Sequence, residues 1–277
     1  LFDTNLDVWK EMTGRRPVQL AMPGMSGAPV LTDIADNTDF AGLVIIDFTP
    51  EQFFREGAAN PAFEGVLDAW DTFGPARRAG HRIGQFLSRY LAFIDDRYSL
   101  QALIDEVDIP NREGVTGPYL RVWKISEIYD DRQAFLWRGI ERNERLRSHA
   151  IKVWQSRQRP PPKEKRISEL SAEMKAAVGA IRARGGEVVF MRPPSDGAYY
   201  AREQRKMPRA TSWDRLLRET GTFGIHFEDY PAMQGLNLPE MSHLAREDAA
   251  RFTRAYVTVL IQHDPRLRDN TAREQDK

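Results

Sequence analysis

Apolar and polar positions alternate along this chain in two distinct rhythms. Leu43-Val44-Ile45-Ile46-Asp47-Phe48, opened by Gly42, is apolar on both faces, as a central strand in a parallel sheet must be. Glu187-Val188-Val189-Phe190-Met191 reads as a further strand. Pro17-Val18-Gln19-Leu20-Ala21-Met22 reads as a buried strand ended by Pro23-Gly24, and Gly224-Ile225-His226-Phe227 as a shorter one. Helical spacing separates these runs. Leu6, Val8, Trp9 and Met12 share a face of a helix that Asp3 or Thr4 would cap and Gly14 would stop. A second helix opens at Pro29, a third runs over 168–184 to Gly185-Gly186, a fourth covers about 212–220, and the last spans roughly 246–261.

Strand–helix alternation without hairpin turns predicts an α/β domain, a parallel sheet with helices on both faces. The middle of the chain breaks the alternation. Ile83, Phe86, Leu87, Tyr90, Leu91 and Ile94 recur at the spacings of one helix face. Gly114 to Pro118 reads as a turn, and Trp123, Ile128, Phe135, Trp137 and Ile140 continue a helical pattern towards Trp154. The expected organisation is therefore an α/β domain from 1–55 and 165–262, a helical insertion over 56–164 closed by the stiff Pro160-Pro161-Pro162 connector, and a flexible tail over 263–277.

Composition narrows the chemistry. Across 277 residues, 41% are apolar and 29% charged, the balance of a globular chain. Lys plus Arg equals Asp plus Glu at 40 each, so net charge gives no case for nucleic acid. The basic stretch 141–166 reads as an exposed helix end, and the Asp95-Asp96 and Asp130-Asp131 pairs as solvated helix faces. There is no cysteine, which excludes disulfides, thiolate metal sites and a cysteine nucleophile. No run reaches the roughly 20 apolar residues that span a bilayer. No metal or organic cofactor is implied.

Among the five histidines, His81 and His149 sit among arginines, His226 alternates with Ile225 and Phe227 along a strand, and His263 lies in the tail. His243 differs. In Leu238-Pro239-Glu240-Met241-Ser242-His243-Leu244 a carboxylate stands three residues before it, just ahead of a helix. Such a pair can hold an imidazole in one tautomer and stabilise its cation, the base-and-orienter arrangement of serine hydrolases; a helix cap beside an exposed histidine has the same spacing. Gly24-Met25-Ser26-Gly27-Ala28, between a strand and a helix, approximates a nucleophile elbow with Ser26 at its apex; a tight turn of small residues reads equally well.

Glu240-Met241-Ser242-His243-Leu244, followed by Asp248-Ala249-Ala250-Arg251-Phe252-Thr253, resembles the C-terminal block of the SGNH (GDSL-type) hydrolases, with Glu240 where that family usually has Asp. The order of parts is similar as well: the Gly24 turn after an early strand, a strand ending at Asp47, and a late strand ending at Arg192. The resemblance covers 1–55 and 165–262 and implies a flavodoxin-like sheet. It is nearest to the membrane-anchored envelope proteins of bacteria that transfer D-alanine or O-acetylate polysaccharides. It implies His243 as general base, Glu240 as its orienter, and Gly24 as an oxyanion-hole donor, with Asp47 and Arg192 at the cleft. The family's Gly-x-Asn-Asp block is replaced by Asp47-Phe48-Thr49-Pro50. No Gly-Asp-Ser block is present, and the chain opens on Leu1 rather than Met. The expectation is thus a nucleophilic serine and a membrane anchor upstream of Leu1. The implied activity is ester hydrolysis or acyl transfer on an acylated carbohydrate or envelope polymer, with a membrane-bound acyltransferase as partner. The alternative of another class is a non-catalytic binding or scaffold protein of an envelope-modifying complex.

Overall fold

A computed structural model describes residues 3–21, 24–55, 74–88, 90, 91, 93, 100, 122, 124–129, 131–156 and 160–268. The chain divides into two compact units, one formed by 1–58 together with 126–277, the other by 59–125.

The first unit is mixed α/β. Strands β1 (Leu43–Asp47), β4 (Glu187–Arg192) and β5 (Phe223–His226) form a parallel sheet in the order β1-β4-β5, with Leu43 opposite Glu187 and Val189 opposite Phe223. Alternate side chains enter different layers. Val44, Ile46, Val188 and Phe190 pack with α2 (Ala28–Asn37), α7 (Glu164–Ala183) and α9 (Trp213–Thr220). Val189, Met191 and Ile225 pack on the opposite face with α1 (Leu6–Thr13) and α10 (Arg246–His263). At roughly 25 cal/mol per Å² of apolar surface removed from water, these two layers are what hold the sheet. The strand over Glu187–Met191 stands at the centre, and Leu43–Asp47, expected to be central, lies at an edge of the described sheet, because both faces of β1 are covered without a second described strand pairing with it.

Three expectations are corrected. Residues 17–21 are not a strand: Val18 and Leu20 are exposed and only Gln19 turns inward. An apolar run of this length becomes a strand only when a neighbour pairs with its backbone, and none of the described strands lies against it. The excursion expected to be helical over 56–164 is divided, for 126–156 belong with the sheet. They contain an antiparallel hairpin of β2 (Ser126–Ile128) and β3 (Ala134–Leu136), with Arg132 in the left-handed region at φ 66°. Helices α5 (Arg138–Arg142) and α6 (Glu144–Ser156) follow. Last, α10 continues to His263, whose ring stacks on Phe223 at 3.8 Å, so this histidine does not belong to a tail. Residues 269–277 lie outside the described residues, as do Asp95-Asp96, Asp130, Ile94 and the 114–118 turn.

In the second unit, helix α4 (Pro75–Ser88) leaves Ile83 and Phe86 exposed. Helix α3 (Pro50–Phe53) belongs to the first unit and follows β1 directly.

The hairpin positions the N-terminal helix. Asn5, not Asp3 or Thr4, caps α1, its Oδ1 accepting from the N–H groups of Asp7 and Val8. The Leu6 N–H, which no residue of its own helix can satisfy, donates to Gln133 Oε1 at 2.7 Å, and the Ala134 N–H donates to Gln19 Oε1 at 3.2 Å. Two buried glutamines thus tie 6–19 to the hairpin. Gln133→Met should leave the Leu6 donor buried and unpaired and cost about 1–3 kcal/mol. Urea denaturation of both proteins checks this; an unchanged midpoint would remove the glutamine's proposed role.

Candidate functional site

The loop between β5 and α10 folds over the carboxyl ends of the strands. Met241 takes φ 74°, a left-handed conformation that costs a non-glycine residue roughly 1–2 kcal/mol. The turn it makes directs two N–H groups back at one carboxylate. Glu240 Oε1 accepts from the backbone N–H of His243 at 2.6 Å and of Ser242 at 3.3 Å. Its Oε2 accepts from Ser242 Oγ at 2.8 Å and from the indole N–H of Trp154, at the end of α6. Glu240 has no solvent exposure. Burial alone would raise its pKa, but His243, Ser242 and Trp154 together hold it below the usual carboxylate range.

His243 Nδ1 lies 2.8 Å from Glu240 Oε1 and 3.0 Å from Ser242 Oγ. The Trp154 ring stands 6.4 Å from the imidazole. Burial opposes the imidazolium, yet Glu240, with Asp3 and Asp47 behind it, outweighs burial and lifts the pKa to about 9. Asp3 is anchored by the Leu244 N–H, which donates to its Oδ2 at 2.8 Å. Burial pushes Asp3 up to about 7, against the pull of His243 and of that N–H. Asp47 is likewise raised by burial, opposed by Arg192 and His243. The Oδ1 atoms of Asp3 and Asp47 are buried, with no hydrogen-bond partner among the described residues.

All three groups line a cavity of about 840 Å³, a ligand-sized volume. Gly24, Ser26, Asp47, Ser242 and His243 meet it together. Gly24 adopts φ 74° with open space where a Cβ would stand, so the turn, rather than crowding, calls for glycine there. Ser26 Oγ accepts from the Ala28 N–H at 3.2 Å and donates to the Phe53 carbonyl at 3.5 Å, so its described hydrogen bonds go to the backbone at the start of α2 and in α3 rather than to His243. Arg192 is not among the lining residues. Its guanidinium donates to Ser195 Oγ and to Glu203 Oε2 of helix α8 (Gly197–Lys206), each at 2.6 Å, in a buried cluster. His226 is buried between Trp213 and Phe227 and held neutral, its pKa lowered to about 3 mainly by burial.

The pairing of Glu240 with His243 was readable from their spacing. Asp3 was read only as a helix cap, and nothing in its neighbourhood signals the Leu244 contact 241 residues away. Trp154 likewise carries no local sign of its role. Among the described residues no cluster of side chains suits a metal ion, and no helix is long and apolar enough to cross a membrane. Comparison of the chain with protein-family models, curated proteins and solved structures finds no match.

The raised pKa of His243 fixes the sign of a stability effect. A proton held more tightly in the folded state than at the ordinary 6.5 stabilises fully below 6.5, and that contribution is lost as pH rises through about 9. Asp3 adds a similar decline at lower pH, between its ordinary 3.8 and about 7. The melting temperature should therefore fall between pH 6.5 and 9, and His243→Asn should flatten that part of the profile. An identical slope in both proteins would show that the imidazole is not the titrating group.

Proposed function

We propose that this chain is the greater part of an SGNH-like ester hydrolase or acyltransferase with a flavodoxin-like sheet, in which His243 is the general base and Glu240 its orienter. The observation that carries the reading is a single one: a part-exposed imidazole, bound through Nδ1 to a carboxylate without solvent exposure, faces a ligand-sized cavity. Glu240 fixes Nδ1 as the proton-bearing nitrogen and compensates the charge when the ring takes a second proton. Nε2 is then the basic nitrogen. It would accept the proton of a serine hydroxyl as that oxygen attacks an ester carbonyl, and return it to the departing alcohol. The N–H of Gly24 would stabilise the oxyanion. Water or a sugar hydroxyl would then take the acyl group from the serine, giving hydrolysis or transfer.

In this reading the serine is supplied by sequence preceding Leu1, the substrate is an acylated carbohydrate or envelope polymer, and the protein works at the envelope beside a membrane-bound acyltransferase. Ser26 is the less suitable nucleophile because its hydroxyl serves the start of α2. One observation favours a second reading, a non-catalytic binding protein. With its pKa at about 9, His243 is cationic at neutral pH, a state suited to holding an anion and unsuited to removing a proton.

The intact polypeptide should hydrolyse p-nitrophenyl acetate and react with a fluorophosphonate at a serine before Leu1. His243→Ala should lower the ester rate by about 10³-fold or more, and Ser26→Ala should leave the labelling unchanged. A fluorophosphonate on Ser26 would move the nucleophile there. No labelling, with unaltered turnover in His243→Ala, would leave the binding role.

A further inference from the structure

The sequence over 72–94 separates apolar from basic residues at helical spacing. It holds four arginines, Arg77, Arg78, Arg82 and Arg89, and no Asp or Glu. Helix α4 takes up 14 of these residues. On it Ala76, Ala79, Ile83, Phe86 and Leu87 fall within an arc of about 100°. Arg77, Arg78, His81 and Arg82 take the opposite side. A helix that packs on its own protein turns such an apolar stripe to the core. Here Ile83 is 59% and Phe86 58% exposed, and beyond the helix Tyr90 is 73% and Phe93 70% exposed. The rings of Phe86 and Tyr90 lie 5.4 Å apart, so the apolar surface continues past the last helical turn. The three arginines of the helix are exposed as well.

We propose that α4, with Tyr90, Leu91 and Phe93, is a docking surface for an anionic lipid bilayer, on which the helix lies flat with its apolar side among the headgroups. This role is independent of the chemistry at His243. Charge decides the occupant. Arginines beside an apolar stripe, in a stretch without carboxylates, suit a plane of phosphate groups. A second copy of the chain would bring the same arginines face to face across a two-fold axis, and like charges so placed oppose the contact. A grooved protein partner takes one helical stripe. The exposed Leu91 and Phe93 lie beyond the helix, and a bilayer interface accepts apolar groups wherever they reach its depth. Aromatic rings also suit the headgroup level. None of the described helices is long and apolar enough to cross a bilayer, so the contact is with its surface.

The chain has no cysteine, so one introduced thiol can carry the only label. The 277-residue protein is labelled with an environment-sensitive fluorophore at Ile83→Cys and, separately, at His81→Cys on the basic side. Vesicles of equal parts phosphatidylcholine and phosphatidylserine should move the Ile83 label into an apolar setting, where nitroxide groups on the acyl chains quench it. The His81 label should stay in water. Pure phosphatidylcholine should bind about 10-fold more weakly or worse, and raised salt should weaken binding to the mixed vesicles. In sedimentation with the mixed vesicles, Phe86→Ser with Tyr90→Ser should lower the affinity about 10-fold or more, as should Arg82→Glu. All three side chains are exposed, so the melting temperature of these variants should match the parent. A label at Ile83 that the vesicles leave in water would overturn the assignment, as would binding that Phe86→Ser with Tyr90→Ser leaves unchanged. Shielding of that label by rising protein concentration without lipid would make the occupant a second copy. Shielding by calcium-loaded calmodulin, a protein with an apolar groove for amphipathic helices, and not by vesicles would make it a protein partner.

Discussion

A carboxylate with no access to water must find its compensation inside the protein, and the site is built around that demand. Moving an isolated carboxylate out of water costs several kcal/mol even after relaxation, and Glu240 avoids that cost only by collecting donors. Two are N–H groups of its own turn, which exist in position because Met241 accepts a left-handed backbone. One is the Ser242 hydroxyl, and one is the Trp154 indole, reaching in from α6. The imidazole supplies the countercharge. Without Glu240 the turn would have no centre, α6 would lose its polar contact with the loop, and His243 would lose what raises its pKa.

The same arrangement ties the two termini of the first unit together. Asp3 holds the Leu244 N–H, the Asn5 N–H donates to Thr253 Oγ1, and Tyr256 donates to Thr4 Oγ1. The first joins Asp3 to the loop before the last helix, and the other two join the first residues to that helix itself. Loop closure over such a separation is entropically costly, so these bonds form on a scaffold already set by the packing of Trp9 against Tyr256. The N-terminal residues are thereby placed at the carboxyl edge of the sheet, where open α/β sheets put their ligands.

The sheet was legible where burial on both faces leaves an unbroken apolar run, as in 43–48 and 187–191. It was misread where the same kind of run lacks a partner. Val18 to Met22 has the composition of a strand, but strand formation belongs to a pair of backbones, and composition describes only one of them. The hairpin was misread for the opposite reason. Ile128, Phe135 and Trp137 fall at helical spacing by coincidence, and the turn between the strands rests on Arg132 at positive φ, a residue without the glycine or asparagine that usually marks such turns. In the site, the Glu240–His243 pair is local in sequence and was legible. Asp47 was placed at the cleft from its strand end, whereas Asp3 and Trp154 act across 241 and 86 residues, where no short-range pattern exists.

The two functional readings differ in how one proton is shared. Asp3 and His243 stand near enough to influence each other's protonation, with Glu240 the larger influence on the ring. An anionic Asp3 adds to Glu240 in favouring the imidazolium, and a protonated Asp3 withdraws that smaller contribution. An occupant of the cavity would therefore act on the base in part through Asp3 and Asp47, whose buried Oδ1 atoms have no hydrogen-bond partner among the described residues. A donor placed on them spreads their charge away from the ring and removes water from around it. Both effects disfavour the imidazolium and bring its pKa down towards the range in which a neutral ring can take a proton. An anion entering instead would pair with the cation and fix it. On the proposed readings a neutral ring suits proton transfer and a cationic ring suits anion binding, so the chemistry of whatever fills the cavity would favour one over the other.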